Sequence, residues 1–338
     1  MIKVNEQAEL MRDTVKEFAD KNLKDLALKV EREGIPDAVK EKILEQGFVG
    51  SNLPVEMGGA GLDSLSHRLM LFELAKVSPS VAAYVFFHND VVLKQLSSGN
   101  KKDLIQSVIS GKDSYALSFS RLSGEKIEDG SNGAIRRALN EKANRYIELD
   151  ASGTIFAGEG KAEPVKNFKP LGLRGMGVCD FLPSSKEECG TKEDLENILA
   201  VSSGDIAALF LGIAEGAVDK AIEYTNVRKT FNEPLKNYEP VAFRIAELKS
   251  ELEMLKFVLF DEGSDEIRML MLKDLSASLS RKATKYALQF HGGYGYLEDF
   301  GVEKFYRDSV ALNAIIYRPV EDKRILASKI YFGKSGFI

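Results

Sequence analysis

The chain has 338 residues, of which 44% are hydrophobic and 29% are charged. This composition excludes an intrinsically disordered protein, and the length predicts two or three domains because one core rarely serves so many residues. The net charge of −5 provides no general attraction for nucleic acid or an anionic membrane. Neither kind of partner is expected.

Cysteine and histidine residues are few and scattered. Cys179 and Cys189 have no CxxC spacing and no paired framework, which is typical of a reducing compartment. The histidines, His67, His88 and His291, do not have metal-ligand spacing, so no metal site is predicted. The first 18 residues lack the apolar core of a secretion signal, and no apolar run is long enough to span a bilayer. We therefore expect a cytoplasmic protein without membrane insertion.

The first third of the chain is predicted to be helical. Apolar residues at helical spacing run from Leu10 to Leu44, and the glycine-rich segment 53–61 then interrupts them with turn chemistry. Further helices are predicted over residues 64–76, 81–96 and 101–110. These patterns predict an N-terminal helical domain of residues 1–112.

The pattern changes near Asp113. Alternation at period two predicts a strand over residues 115–120, and two more strands, 145–150 and 153–157, flank a short Ala-Ser-Gly turn. The frequency of glycine and serine rises over the same region. A small, compact β-domain is therefore predicted over residues 113–190.

Long apolar stripes at helical spacing follow the β region. They run over residues 206–221 and 245–259, and a third helix is expected to begin at Ser264 as its cap. The core face predicted for this third helix consists of Ile267, Leu270, Leu275 and Leu279. A last helix over 320–331 completes a C-terminal four-helix bundle of residues 191–338. The fold class is thus predicted to be mainly α, with a β-domain in the middle.

Several short motifs occur in the order, and at about the spacing, found in one protein family. They are the segment 53–61, the stretch 99–112, Leu-Gly-Leu-Arg-Gly at 171–175, Arg228-Lys229-x-Phe231-x-x-Pro234-Leu235, and Gln289-x-x-Gly292-Gly293-x-Gly295-Tyr296, followed by Glu303-x-x-Tyr306-Arg307-Asp308. With this set of motifs the chain resembles the acyl-CoA dehydrogenase family. The resemblance covers most of the chain and implies the same helical, β and helical architecture.

The resemblance implies a binding site for FAD. Gly292 and Gly293 would lie beside the pyrophosphate and adenosine part of the cofactor, with Gln289 nearby. Glycine suits this place because it has no Cβ and lets the backbone approach a phosphate closely. A Gly-Gly-x-Gly run after a helix can also be an ordinary C-cap and turn.

The resemblance also implies that subunits share each cofactor. Arg228 would reach the FAD of a neighbouring subunit as a phosphate clamp, and Phe231 would pack against it. Backbone groups of Phe119 and Ser120 would contact the flavin. A homodimer or homotetramer follows from this sharing. The alternative for Arg228 is a solvated or ion-paired surface arginine.

Other charged residues of the motifs have structural interpretations. Arg307 and Asp308 can form an ion pair, and Arg174 is expected to be structural. Glu239 stands where the family has a glutamine after the Arg-x-x-Phe motif.

The reaction implied by the resemblance is α,β-dehydrogenation of an acyl-CoA, with electron-transfer flavoprotein as the acceptor. It begins with removal of a proton next to the thioester, for which the family supplies a glutamate. Here the matching position holds Arg318, or Ile316 when the segments are aligned without a gap. Neither side chain is a base at neutral pH, so the catalytic residue is not identified.

Two carboxylates on the first long C-terminal helix, Asp205 and Glu215, could replace the missing glutamate. An aspartate at the start of a helix, such as Asp205, is more often a cap. Glu321 and Asp322 follow the altered segment, where acidic residues are expected in the first turn because of the helix dipole alone. The alternative function is a non-catalytic family homologue that serves as a binding or subunit-pairing module.

Overall fold

A computed structural model describes residues 4–118, 134–165, 168–263, 265–317 and 319–332. The chain divides into two compact units. The first unit comprises Met1–Leu28, Arg68–Ala82 and Ser203–Ile338, and the second comprises Lys29–His67 and Ala83–Ser202. The boundaries of the predicted domains, 1–112, 113–190 and 191–338, stay a prediction.

Helices precede and follow a group of strands. The helices are α1 (Glu6–Asn22), α2 (Ala27–Glu33), α3 (Asp37–Glu45), α4 (Ser64–Val77), α5 (Pro79–Phe86), α6 (Lys94–Ser98), α7 (Lys102–Ile109), α8 (Lys192–Val201), α9 (Ser203–Val227), α10 (Glu239–Leu259), α11 (Glu266–His291), α12 (Glu303–Ile316) and α13 (Pro319–Phe332). The strands are β1 (Tyr115–Ser118), β2 (Ile135–Leu139), β3 (Arg145–Leu149), β4 (Thr154–Pro164), β5 (Val178–Pro183), β6 (Glu187–Thr191), β7 (Lys229–Thr230) and β8 (Glu233–Pro234). This order confirms the predicted fold class.

The strands β1 to β6 form one sheet in the second unit. Their order is β3-β1-β2-β5-β4-β6, and the sheet closes on itself because β3 also pairs with β4. The predicted strands at 145–150 and 153–157 are β3 and β4, which pair antiparallel. Tyr146, Cys179 and Phe181 form the centre of the sheet's hydrophobic core. The sequence pattern missed β2, β5 and β6.

The helix α9 is the central element of the first unit and is buried on nearly all sides. Two of its glycines allow it to pack directly on the backbone of α4. A Cβ added to Gly212 would lie 2.4 Å from the carbonyl oxygen of Phe72, and one added to Gly216 would lie 2.4 Å from that of Lys76. Any larger residue at these two positions would push the helices apart.

Two predictions about α11 are wrong. The helix begins at Glu266, and its cap is Asp265, whose carboxylate accepts a hydrogen bond from the backbone N–H of Arg268 at 2.8 Å. Ser264, the predicted cap, lies outside the described residues. Leu275 was expected in the core but is 53% exposed. It follows Leu270 by five residues, which turns it about 140° around the helix from that core position.

The described part of the C-terminal region has two more α-helices than predicted, α8 and α12. The helix α12 begins after Gly301 and leads to Tyr317. Its buried residues include Glu303, Lys304 and Asp308. Since charged residues occupy core positions, no apolar stripe marked this helix in the sequence.

The apolar stretch predicted as one helix over 81–96 changes its hydrogen-bonding pattern in the middle. Phe87–Leu93 form a π-helix between α5 and α6, and all seven of these residues are buried. Within the described ranges, no single helix has both the length and the apolar character needed to cross a membrane. One consecutive pair, α8 with α9, meets these criteria only when the two helices are counted together.

Candidate functional site

One groove in the first unit lies where the C-terminal ends of α9 and α11 meet. Its volume is about 370 Å³, which is in the range of small-molecule sites. The groove is lined by Tyr224, Arg228, Thr230, Leu235, Phe290, His291, Gly292, Gly293, Tyr294 and Leu297. The structure therefore brings Arg228 together with Gly292 and Gly293, which follow it by more than sixty residues in the sequence.

The two glycines leave the backbone open on the groove side. Gly292 ends α11 with φ 57° and ψ −134°, a conformation that strongly favours glycine. A Cβ added to Gly292 or to Gly293 would meet nothing within 4 Å. The C-cap interpretation and the ligand-site interpretation are therefore compatible, because the same residue ends the helix and lines the groove.

Arg228 is held at the groove by its backbone. Its N–H donates to the carbonyl of Tyr224 at 2.9 Å, and its own carbonyl accepts from the N–H of Leu235 at 2.9 Å. The guanidinium lies over the ring of Tyr294, 5.5 Å from the ring centroid. A planar cation positioned in this way can bind a phosphate with two parallel hydrogen bonds.

His291 is the most buried of the polar side chains in the groove. Its ring stacks on Tyr224 with 4.2 Å between centroids, and its Nδ1 lies 2.8 Å from the carbonyl oxygen of Ala287. Burial lowers the pKa of His291, and the ammonium of Lys220 lowers it further. At neutral pH the imidazole is therefore uncharged.

Two other predicted cofactor residues do not line this groove. Phe231 lies in the turn between β7 and β8 with φ 49° and is 90% exposed. Gln289 is exposed on α11, near the helix end. Phe119 and Ser120, predicted to contact the flavin ring, lie outside the described residues. Of the residues predicted to bind the cofactor, Arg228, Gly292 and Gly293 line the groove.

The positions aligned with the family's glutamate offer no described base. Ile316 is the last residue of α12 and is 2% exposed, so an apolar side chain packs in the core there. Arg318 lies outside the described residues. Asp205 is buried in the first turn of α9, inside the helix rather than at its cap.

Two further carboxylates, Glu215 and Asp322, are ion-paired. Glu215 lies 2.9 Å from the ammonium of Lys256 and 3.6 Å from that of Lys76. Although burial opposes ionisation, these lysines hold the pKa of Glu215 below its usual value. Asp322 lies 2.8 Å from the ammonium of Lys273, and both side chains are buried. These contacts give both carboxylates a structural function.

The charged residues of the remaining motifs are also structural. Arg307 binds Glu303 at 3.0 Å, and Asp308 binds Lys304 at 3.3 Å. The expected pair is therefore replaced by two pairs, each joining residues four apart on α12. Arg174 donates to the carbonyl of Pro170 at 2.9 Å, as expected of a structural arginine.

A second cluster of polar side chains lies in the second unit. The hydroxyl of Ser51 is 2.9 Å from His67 Nδ1, and His67 Nε2 is 2.9 Å from Asp90. These are the residue types of a hydrolase triad, but Ser51 is fully buried. Burial opposes ionisation of Asp90, yet His67 and Lys94 hold its pKa well below the usual range. Since no substrate can reach the serine, the cluster is a structural network.

Sequence reasoning missed the aromatic part of the groove. Tyr224, His291 and Tyr294 all line it, and none was assigned a function. A usable signal was present for two of them: Tyr224 lies one helical turn before Arg228, and His291 directly precedes Gly292.

Comparison with known proteins places the chain in a family. The N-terminal domain model of the acyl-CoA dehydrogenases matches residues 5–112, and the C-terminal domain model matches residues 193–315. The 3-(aryl)acrylate reductase of Clostridium sporogenes is 26% identical, with 90% of this chain and 93% of that protein covered. The CarC subunit of the caffeyl-CoA reductase–Etf complex of Acetobacterium woodii is 27% identical, with 90% and 93% covered.

Solved structures show the same fold. Butyryl-CoA dehydrogenase from Megasphaera elsdenii superposes with a TM-score of 0.81 at 20% identity, covering 98% of this chain and 99% of the other. A glutaryl-CoA dehydrogenase from Mycobacterium smegmatis in complex with FADH2 has a TM-score of 0.81 at 17% identity, covering 99% and 97%. The chain belongs to the acyl-CoA dehydrogenase family, and at the level of that family it is an acyl-CoA oxidoreductase.

Proposed function

We propose that the protein binds FAD and uses it to oxidise or reduce the α,β-bond of an acyl-CoA thioester. The observation that carries this proposal is the groove in which Arg228, Gly292 and Gly293 converge. The two glycines leave the backbone accessible, and Arg228 supplies a permanent positive charge. This combination suits the diphosphate of a dinucleotide.

The described residues fit the nucleotide half of FAD. The guanidinium of Arg228 would bind a phosphate oxygen, and the backbone at Gly292 and Gly293 would allow the diphosphate to approach closely. The rings of Tyr224 and Tyr294 provide apolar surface for the adenosine part. When bound, FAD would exchange a hydride with the acyl chain.

The missing glutamate leaves the proton transfer at the α-carbon without an assigned residue in both directions. Oxidation requires a base there and reduction requires the corresponding acid, and Ile316 can serve as neither. Two similar proteins are named as reductases, 3-(aryl)acrylate reductase and the caffeyl-CoA reductase–Etf complex subunit. Reduction of an α,β-unsaturated thioester, in which the α-carbon receives a proton, is therefore included in the proposal beside α,β-dehydrogenation.

An electron-transfer flavoprotein is the proposed redox partner. The support is that the relative from Acetobacterium woodii is named as a subunit of an Etf complex. A homodimer or homotetramer is proposed as the assembly. Phe231 and Tyr296, which flank groove residues in the sequence, are 90% and 88% exposed in the single chain. Aromatic side chains exposed to this extent are typical of a surface that a second copy covers.

A non-catalytic homologue is the second candidate. Two observations favour it: an apolar side chain is buried at Ile316, and both Glu215 and Asp322 are held in ion pairs. Such a protein would keep the nucleotide groove and subunit contacts but would not turn over an acyl thioester.

Absorption spectroscopy of the purified protein with added FAD tests the proposal. We expect a bound flavin spectrum, and we expect Arg228→Met to weaken the binding. Under anaerobic conditions, acyl-CoA substrates of different chain length should bleach the oxidised flavin, or enoyl-CoA compounds should reoxidise the chemically reduced flavin. Binding of FAD with neither response would favour the non-catalytic candidate. Failure to bind FAD would contradict the proposal altogether.

A further inference from the structure

The tautomer of His291 follows from one hydrogen bond. Its Nδ1 lies 2.8 Å from the carbonyl oxygen of Ala287, and a carbonyl oxygen can only accept. The proton of the neutral ring must therefore be on Nδ1. Since neutral imidazole carries a single N–H, Nε2 is a hydrogen-bond acceptor.

The surroundings keep this ring neutral. His291 is 5% exposed, and burial lowers its pKa although the hydrogen bond to Ala287 opposes the shift. The ammonium of Lys220 acts in the same direction as burial. The ring is fixed in orientation as well, because it stacks on Tyr224 and meets the edge of Phe300 at 6.4 Å.

The acceptor of His291 has no partner in the described part of the chain. Nε2 makes no hydrogen bond to a described residue, although the side chain is nine-tenths buried. The residue lines the groove, and Nε2 is not sealed from it. Because Nε2 is open to the groove and has no partner among the described residues, its lone pair is available to a ligand.

The groove has two parts that differ in the hydrogen-bonding groups they offer. Arg228 supplies donors and a positive charge, whereas His291 supplies a lone pair. A diphosphate consists of acceptors, so it is drawn to Arg228 and repelled by Nε2. The adenosine part carries donors, namely the amino group of the base and the hydroxyls of the ribose.

We propose that His291 determines the specificity of the groove for adenosine nucleotides by accepting, through Nε2, a hydrogen bond from an N–H or O–H group of the adenosine. The inference rests on the proposed nucleotide site and extends it to a residue that sequence reasoning had left without a function. His291 thereby distinguishes a nucleotide from a bare diphosphate, which Arg228 alone cannot do.

Isothermal titration of the purified full chain with ADP and with inorganic pyrophosphate tests this assignment. His291→Phe keeps a ring on Tyr224 and removes the acceptor, so the Kd for ADP should rise about three- to tenfold. The Kd for pyrophosphate should change less than about twofold, within the usual effect of a neutral substitution. Arg228→Met is the matched comparison, since it should weaken both ligands.

A second variant and two analogues complete the experiment. His291→Asn keeps a donor for Ala287 and also lacks the Nε2 acceptor, so it tests the same loss should the Phe variant unfold. In the wild type, 2′-deoxy-ADP probes the ribose hydroxyl and inosine diphosphate probes the amino group. The analogue without the bonded donor should bind equally to the wild type and to His291→Phe.

The possible results distinguish the role of His291 from the existence of the nucleotide site. Unchanged ADP affinity in both His291 variants, with weaker binding in Arg228→Met, would overturn the assignment of His291 and leave the nucleotide site intact. If the wild-type protein binds neither ADP nor pyrophosphate, the proposed nucleotide site is contradicted, and so is the role of His291 in it. Selective loss of ADP affinity in the variants supports the assignment.

Discussion

Gly292 and Gly293 occupy similar space but have different backbone conformations. Both face open volume, since an added Cβ would meet nothing within 4 Å at either residue. Only Gly292 has a positive φ, at 57°. The surrounding space would allow alanine at both positions, but the backbone conformation allows it without strain only at Gly293.

This difference predicts unequal stability effects for the two neighbouring substitutions. Gly292→Ala should lower the free energy of unfolding by about 1–3 kcal/mol, the usual cost of a residue with a Cβ in a sparsely populated region of φ and ψ. Gly293→Ala should change it by less than about 0.5 kcal/mol, as expected at an exposed position. Urea denaturation of both variants checks this. Equal losses of stability would contradict the assigned conformations.

The position aligned with the family's glutamate can be tested by restoring it. If the gapped alignment is correct, Arg318→Glu supplies the base that oxidation needs. The rate of flavin bleaching by an acyl-CoA should then rise about 100-fold or more, the usual contribution of a positioned general base. Arg318→Gln is the matched control, because it removes the same arginine without adding a base.

The ungapped alignment gives a different expectation. Ile316→Glu would place a carboxylate at a site that is 2% exposed, and the unpaired charge should destabilise the fold. Stopped-flow absorbance measures the rate of flavin bleaching in Arg318→Glu, Arg318→Gln and Ile316→Glu. The variant in which bleaching is faster identifies the correct alignment. No acceleration in any variant would contradict the idea that a glutamate at either position restores oxidation.

At the scale of elements, the packing of α9 against α4 depends on two residues without side chains. At Gly212 an added Cβ would lie 2.4 Å from the Phe72 carbonyl oxygen and 2.7 Å from the Cβ of Ala75. Neither neighbour is the mobile end of a long side chain, so the helices themselves would have to move.

Gly212→Ala should therefore destabilise the protein although alanine favours helix. The gain in helix propensity is about 1 kcal/mol, whereas overpacking a core costs about 1–3 kcal/mol. We expect a net loss measured as a lower urea midpoint. Gly263→Ala is the control, because its nearest neighbour would be 3.8 Å away and no strain is expected. A Gly212→Ala variant as stable as the wild type would contradict the close packing.

Buried ionisable groups link the stability of the whole molecule to pH. His88 lies in the π-helix and is 1% exposed. Its Nδ1 donates to the carbonyl of Tyr84 at 2.8 Å, and Ser114 lies 3.3 Å from Nε2. Burial lowers the pKa of His88 to about 4, and Lys40 contributes in the same direction.

The sign of the pH effect follows from this shift. Between pH 6.5, the ordinary value for histidine, and about pH 4, the unfolded chain binds a proton at His88 and the folded chain does not. Stability should therefore fall as the pH drops through this window, by about 2 kcal/mol for this group between pH 7 and pH 5.

Urea unfolding of the wild type and of His88→Gln at pH 7 and pH 5 measures this contribution. The variant lacks the titrating group, so its stability should fall less than that of the wild type over the same interval. Identical pH dependence in the two proteins would show that His88 is protonated in the folded state.

Much of this protein was predictable from its sequence. The family, the mainly helical fold, the strands β3 and β4 and the course of α9 follow from motifs and from local periodicity. These features depend on residues that are close in sequence, and their spacing repeats within a single element. Arg228, Gly292 and Gly293 were also found in this way, because each is part of a short motif.

Other features depend on contacts between distant segments. The meeting of α9 and α11 at one groove, the place of His291 in it, the outward turn of Leu275 and the charged core face of α12 follow from no local pattern. Whether a side chain is buried depends on what packs against it, and that neighbour is often far away in the chain. Local order was thus determined by the sequence itself, whereas burial and the pairing of remote residues were decided by the tertiary structure.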